Sequence, residues 1–364
     1  VKKLITIGLL SLFLTSTEAS EIDWLKSQLR PFGTEASLIQ SYQDIPRSYI
    51  YDQALAIIAF TEAKKFSEAK KLILGLERLQ LKDGSWYFSY YLDGTSPHPA
   101  EGDMRPHGAI AWVGLAILTY QKKTADPRFA PMWNKTLNYL SQNLRKVPSF
   151  EGEGLIFSSI DNSKTAWNET EIVALEHTLD VYASYRMAYQ LTGSKRWLKK
   201  QNNVEKFILE MWDQENGHFW PGVNILTGKI NRHEFYLDNQ SWSALAFVGH
   251  PEKEKFQKSL TASCRLTTKS GEQIGFSESR SPASTQDFIW SEGTAGKALA
   301  LDLYSQSCDN INSETYFRTL NSMSVNGGVR YINKPQVVDF SYSPSVAGTV
   351  WTWFLKHKYN PLNT

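Results

Sequence analysis

Two kinds of apolar segment alternate along this chain. The first is apolar nearly all round and opens with an aromatic or polar group: Tyr51 to Phe60, His107 to Tyr120, Glu176 to Leu191, Leu237 to Val248, Trp290 to Tyr304 and Ser343 to Leu355. A helix with no polar face is expected inside a ring of other helices. The second kind is amphipathic. Phe66 to Leu81 sets Ala69, Leu72, Ile73, Leu76 and Leu79 on one stripe with lysines and glutamates opposite, and Pro131 to Leu144 and Arg196 to Trp212 read the same way. Such stripes belong on an outer layer with one side in water. The inner segments recur at a spacing of about 50 to 70 residues, the scale of a helical hairpin with its connections.

Several outer segments are followed by a Gly-aromatic element: Asp83 to Phe88, Gly154 to Phe157, Asn216 to Trp220, Gly275-Phe276 and Gly327 to Tyr331. Asp-Gly and Asn-Gly mark tight turns, and the residues after them favour extended backbone. The pattern predicts an all-α fold, an (α/α)6 barrel of six inner and six outer helices with short β-hairpins on one rim. No low-complexity segment or strong linker divides the chain after its first residues, so residues 20–364 are expected to form a single toroidal domain.

The first residues read as an address. Val1-Lys2-Lys3 is basic, Leu4 to Leu14 is largely apolar, and Thr17 and Ala19 are small residues suited to cleavage. This is the pattern of a signal peptide over residues 1–19. The apolar stretch falls short of the roughly 20 residues that a spanning helix needs. A bacterial periplasmic or secreted protein is expected, with no membrane contact after cleavage. In an oxidising compartment Cys264 and Cys308 form either a disulfide or two buried thiols. Two cysteines without a CxxC make no zinc site, and the HExxH spacing is absent, so neither a metal nor a cofactor is expected.

Charge changes the picture little. Lys and Arg number 39 against 37 Asp and Glu, which removes the basic footprint of a nucleic-acid binder. A nearly neutral chain suits a neutral ligand better than a strongly anionic one. Aromatic content is high, at 12 Trp, 17 Tyr and 18 Phe.

The order of inner and outer segments, with Glu176-His177-Thr178-Leu179-Asp180-Val181-Tyr182 and Leu237-Asp238-Asn239-Gln240-Ser241-Trp242, resembles the six-hairpin glycosidase superfamily. The resemblance implies a toroidal enzyme acting on a carbohydrate. That superfamily holds mostly inverting glycoside hydrolases, with polysaccharide lyases and sugar epimerases beside them.

Candidate chemistry gathers at the mouths of the inner helices. Glu176, His177 and Asp180 share one face of an apolar helix, and burying them is unfavourable unless they line a wet cleft. The alternative is that Glu176 and Asp180 occupy a first turn and favour the helix dipole. Asp238, Asp52 and Glu292 sit at comparable mouths beside aromatics, and each is also a possible N-cap. Glycoside hydrolysis needs one protonated and one ionised carboxyl. Glu176 is expected as the acid, raised by Asp180 and burial, and Asp238 as the base. Asp52, His177, Asp180 and Glu292 are expected to support or bind substrate. Tyr51, Trp86, Trp112, Trp220, Trp242, Trp290 and Trp351 offer sugar-binding faces, or else core packing. Glu101 and Asp103 add acids in a loop before His107.

Rival readings stay open. Gln80 to Trp86 resembles the QW repeat of triterpene cyclases, without their DxDD signature. An epimerase has His107, His177, His233 and His250 available, and a lyase has Tyr51, Tyr182 and His177. A glycan-binding platform without catalysis, and a monomer in every case, complete the expectations.

Overall fold

The computed structural model describes residues 20–99, 104–160, 168–279, 288–337 and 340–364. The signal-peptide segment and the Glu101 to Asp103 loop lie outside the described residues. Among the described residues no helix is long and apolar enough to cross a membrane.

Twelve α-helices follow one another along the described chain: α1 (Glu21–Ser27), α2 (Ile50–Glu62), α3 (Phe66–Leu79), α4 (His107–Thr124), α5 (Ala130–Gln142), α6 (Leu175–Thr192), α7 (Lys195–Glu210), α8 (Leu237–Ala246), α9 (Lys253–Ala262), α10 (Ser291–Leu303), α11 (Ser313–Ser322) and α12 (Val346–His357). The even-numbered helices form the inner ring. Each packs on the next, from α2 through α4, α6, α8 and α10 to α12, and α12 packs back on α2. Each odd-numbered helix lies outside an even-numbered one. Helices α3, α5, α7, α9 and α11 back α2, α4, α6, α8 and α10, and α1 backs α12 to complete the outer ring. The (α/α)6 toroid expected from the alternating pattern is therefore present.

Sequence explains the division. In α4 every residue from His107 to Tyr120 is buried, as an all-round apolar helix requires. In α3 burial is confined to Ala69, Leu72, Ile73, Leu74, Gly75 and Leu76, while the lysines and glutamates face outward. Helices α1, α9 and α11 are short and mostly polar, so their single apolar faces carry little periodic signal.

Short antiparallel pairs decorate the fold. Four of the Gly-aromatic elements form hairpins: Leu144–Lys146 with Glu153–Leu155, Trp212–Asp213 with His218–Phe219, Thr267–Ser270 with Gln273–Phe276, and Ser324–Val325 with Gly328–Val329. The Asp83 element departs from expectation. It forms a turn, and the following Ser89–Tyr91 pairs with the distant Arg47–Tyr49 instead. Arg186 of α6 donates to the carbonyls of Ala246 and Leu362, and Asn360 and Asn363 donate to Leu245 and Val248. The tail after α12 is thus tied under the C-terminal end of α8.

Cys264 and Cys308 are joined in a disulfide with their Cα atoms 5.4 Å apart, which settles that alternative. It links the end of α9 to the approach to α11 across 44 residues. Closing a loop of that size is worth about 2–4 kcal/mol. Replacing both cysteines by serine should lower unfolding free energy by about that amount. A reductant should lower the melting temperature of the parent and leave the double variant unmoved. Equal melting temperatures for parent and variant would contradict this.

Candidate active site

Each inner helix begins in the same way. Its first N–H donates to a rim carbonyl of the adjoining hairpin: Ile50 to Phe88 (3.1 Å), His107 to Phe157 (2.9 Å), Leu175 to Pro221 (2.8 Å), Leu237 to Glu278 (2.8 Å), Ser291 to Tyr331 (3.0 Å) and Val346 to Ser41 (2.9 Å). A helix start leaves N–H groups without intrahelical partners, and here the neighbouring repeat supplies an acceptor. Side-chain caps are consequently dispensable. Tyr49, Pro106, Ala174, Tyr236 and Trp290 stand at N-cap positions without capping bonds, and Ser345 alone of the six caps through its side chain. Asp52, Asp238 and Glu292 are therefore not N-caps, which corrects that alternative.

The common start puts equivalent residues in register. The second residues of the six inner helices are Tyr51, Gly108, Glu176, Asp238, Glu292 and Ala347. The sixth residues, one turn deeper on the same face, are Leu55, Trp112, Asp180, Trp242, Gly296 and Trp351. The upper tier holds three carboxyls and a phenol, with Gly108 and Ala347 leaving space. The lower tier is a floor of indoles. Trp112 meets Trp242 at 5.5 Å and Trp351 at 6.1 Å, and Trp242 stacks on Trp351 at 5.6 Å. Gly296 lies beside that stack, where a Cβ would make ordinary contact with Trp351 at 3.4 Å.

Contacts across the lumen tie the tiers together. The Tyr51 hydroxyl donates to Glu292 Oε1 at 2.5 Å and accepts from Trp351 Nε1 at 2.9 Å. Tyr51 also meets Trp112 edge-on at 5.5 Å. Helices α2 and α10 are not neighbours, so the Tyr51–Glu292 bond passes beside α12 where Ala347 is small.

The structure brings Glu176, Asp180, Asp238 and Glu292 together. Asp238 is raised well above the ordinary carboxyl range by burial, then by the charges of Glu176, Glu292, Glu278 and Asp180. Burial pushes Glu176 up to about 7, with Glu278 adding to it. Glu278, and not Asp180 as expected, is the acidic neighbour that raises Glu176. Burial lifts Glu292 to about 8, against the pull of the Tyr51 hydrogen bond. Asp180 is raised well above its ordinary value by burial and by Glu176. Asp180 also lies one turn past the first turn, so the dipole reading of it fails. Glu176 and Asp238 keep some solvent access, whereas Asp180 is 1% exposed and Asp52 and Glu292 are each 5% exposed.

The remaining expected residues divide. Asp52 is the third residue of α2 and lies against Ser41 and the Ala347 backbone on the α12 seam; burial raises it to about 7. His177 stacks on Phe157 at 4.4 Å and, with Asp180, packs over Gly108, where a Cβ would approach its Cδ2 to 2.4 Å. Burial and the nearby His107 push His177 down to about 3, so it stays neutral. Trp242 belongs to the indole floor. Trp290 lies over Gly293 and meets Tyr331 at 6.3 Å beside the upper tier. Trp86 is a correction: it is fully buried with its indole N–H donated to Leu76 of α3 (2.8 Å), a core position without a face for sugar. His107 is also structural, bonded to Ile156 (2.7 Å) and Tyr139 (3.2 Å).

Glu278 is the residue that sequence reasoning missed. It follows the Gly275-Phe276 element and offers its backbone carbonyl to α8. Burial raises its carboxyl, whose charge acts on both Glu176 and Asp238. The signal was available, since Tyr331 and Phe157 occupy the equivalent rim position in their repeats.

The sequence matches no protein-family model and no curated protein. Solved structures do match. A sugar epimerase from a ruminal bacterium superposes with a TM-score of 0.72 at 10% identity, over 94% of this chain and 96% of that one. The chain has the six-hairpin toroid fold. Cellobiose 2-epimerase from Spirochaeta thermophila shares that toroid, with a TM-score of 0.71 at 12% identity over 94% of both chains. A GH76 α-mannanase from Bacteroides thetaiotaomicron follows at 0.62 and 13%, over 93% of both. At such identities the likeness concerns the fold.

The raised carboxyls make stability pH-dependent. Their folded-state values exceed their unfolded ones, so the folded protein holds more protons between about pH 4 and 8 and loses stability as pH rises across that window. Glu292→Gln should match the parent in urea denaturation at pH 5 and exceed it by roughly 2–4 kcal/mol at pH 8. A variant no more stable than the parent at pH 8 would contradict the burial argument.

Proposed function

We propose that this chain is an exported glycoside hydrolase that cleaves a poly- or oligosaccharide by an inverting two-carboxylate mechanism. The carrying observation is the trio Glu176, Asp238 and Glu292 at one level of the lumen above an indole floor. Carboxyls crowded in this way ionise in sequence, so protonated and ionised members coexist near neutral pH. The Cys264–Cys308 disulfide supports the assignment to an oxidising compartment.

The crowding favours an exchange of the roles expected from sequence. Asp238 feels four acidic neighbours and is the member that keeps its proton, while Glu176, raised only to about 7, ionises earlier. Asp238 then protonates the glycosidic oxygen as the bond to the anomeric carbon breaks. Water attacks that carbon from the opposite face and gives its proton to Glu176. Solvent exchange restores both groups. Glu292, held by Tyr51, completes the upper tier beside them. The indoles of Trp112, Trp242 and Trp351, buried one turn deeper, close the bottom of the lumen beneath these acids.

Epimerisation is less well supported. An imidazole that takes a proton from carbon would have to cycle near neutral pH, and burial with the nearby His107 holds His177 near 3.

Product analysis on a glycan panel tests the reading. New reducing ends are expected, with neither unsaturated ends nor inversion at carbon 2. Asp238→Asn and Glu176→Gln should each lower kcat/KM by at least about 100-fold. Activity should rise with pH through about 7, and Glu176→Gln should abolish that limb. Near-parental rates in both variants would overturn the mechanism.

A further inference from the structure

The residues whose carbonyls seat the six inner helices form a rim above the upper tier: Phe88, Phe157, Pro221, Glu278, Tyr331 and Ser41. Glu278 alone of the six is charged. Backbone contacts fix its place. Its carbonyl accepts from Leu237 (2.8 Å), and Ser279 bridges to Tyr236, so Glu278 stands beside the first turn of α8, which carries Asp238. Its side chain is half-buried, and its charge reaches Glu176 on α6, Asp238 and Tyr236 at α8, and Tyr331 on the rim of α10. The carboxyl therefore turns into the lumen. Among the described residues it has no hydrogen-bond donor and no cation beside it.

A carboxyl withdrawn from water without donors is unfavourable, and donors that arrive with a ligand offset that cost. Phe88 and Phe157 hold equivalent positions with rings, so seating a helix does not call for an acid. The course of a substrate follows from what is closed. Asp238, as proton donor, must reach the glycosidic oxygen, so the bond that breaks lies beside the second residue of α8. One turn deeper on that helix Trp242 is 3% exposed and stacked on Trp351, which leaves no room for a sugar below. Glu176, on the neighbouring helix, holds the attacking water on the other face of the anomeric carbon. The leaving sugar then extends towards the rim over α8, where Glu278 stands. Sugar hydroxyls are donors, and a carboxyl group can accept them through two oxygens.

We infer that Glu278 binds the sugar that departs from the glycosidic bond and selects leaving groups that carry hydroxyl donors. This assignment rests on the hydrolase reading, with Asp238 as the acid, and adds the residue that recognises the leaving group. The acid and the base serve every substrate. Glu278 serves only a leaving group that can donate to it.

The test compares two substrates that both need a proton on the leaving oxygen. One is the shortest oligosaccharide that the parent cleaves in a panel of α- and β-linked glucose, mannose, galactose and N-acetylglucosamine oligosaccharides. The other is the cyclohexyl glycoside of the same glycone, whose leaving alcohol has the size of a pyranose ring and no further hydroxyl. The parent should prefer the oligosaccharide by about 10-fold or more in kcat/KM, as expected for hydrogen bonds to a charged acceptor. Glu278→Ala should lower the oligosaccharide rate by about that factor and the cyclohexyl rate far less, so that the preference collapses. Glu278→Gln, which keeps the size and one acceptor oxygen, should retain an intermediate preference. Equal losses on the two substrates would mean that Glu278 acts only through the charges of Glu176 and Asp238, and an undiminished preference would mean that it makes no contact. Either result overturns the assignment and leaves the hydrolase reading standing. If the parent releases no reducing end from any glycan of the panel, the hydrolase reading falls and the leaving-group assignment falls with it.

Discussion

Six hydrogen bonds, one from the first N–H of each inner helix to a rim carbonyl of the adjoining hairpin, set the register on which the rest of the molecule depends. They satisfy donors that would otherwise need side-chain caps. They also start six helices at the same height around the lumen. Everything that follows at the site is counted from that height. The second residue of each helix reaches the upper tier and the sixth reaches the floor. An insertion of one residue between Leu237 and Asp238 would rotate Asp238 by about 100° and remove it from the lumen.

Two fields act on the upper-tier acids, and their sizes decide the outcome. A helix N-terminus favours a carboxylate by about 0.3–2 kcal/mol. Burial moves Glu292 from 4.5 to about 8, which corresponds to about 5 kcal/mol in the opposite sense. Burial prevails, and the acids rest largely protonated near neutral pH. The same placement that loads a proton donor destabilises the fold as pH rises. Function and stability are in tension at Glu176, Asp238 and Glu292, and the closed ring of packed inner helices offsets the difference.

The toroid was legible because two periodicities alternate: an all-apolar helix such as α4 and a striped one such as α3 cannot exchange places without exposing one and burying the charges of the other. The mouths were legible as aromatic–carboxyl pairs. The tiers were not, because they appear only when helix starts are known to the residue, and those starts depend on carbonyls from another repeat. Trp86 shows the limit from one side, since a tryptophan beside a Gly turn packs into the core as readily as it lines a lumen. Glu278 shows it from the other, since it precedes no helix and enters the site only because its backbone carbonyl seats α8. The acid and base assignment was equally out of reach, as the number of acidic neighbours around Asp238 is a property of the closed ring.

The pairing of α1 with α12 differs from the other five hairpins in having no connecting segment of chain. The partners are held by packing and by the Lys356–Glu21 ion pair at 3.0 Å. The ring therefore has a covalent seam whose position is arbitrary with respect to the lumen. Joining α12 to α1 and opening an outer loop elsewhere would yield a circular permutant with the same two tiers. The seam also orders events during synthesis. Tyr51 meets Glu292 and Trp351 across 241 and 300 residues, so the chamber is assembled only when the last inner helix arrives.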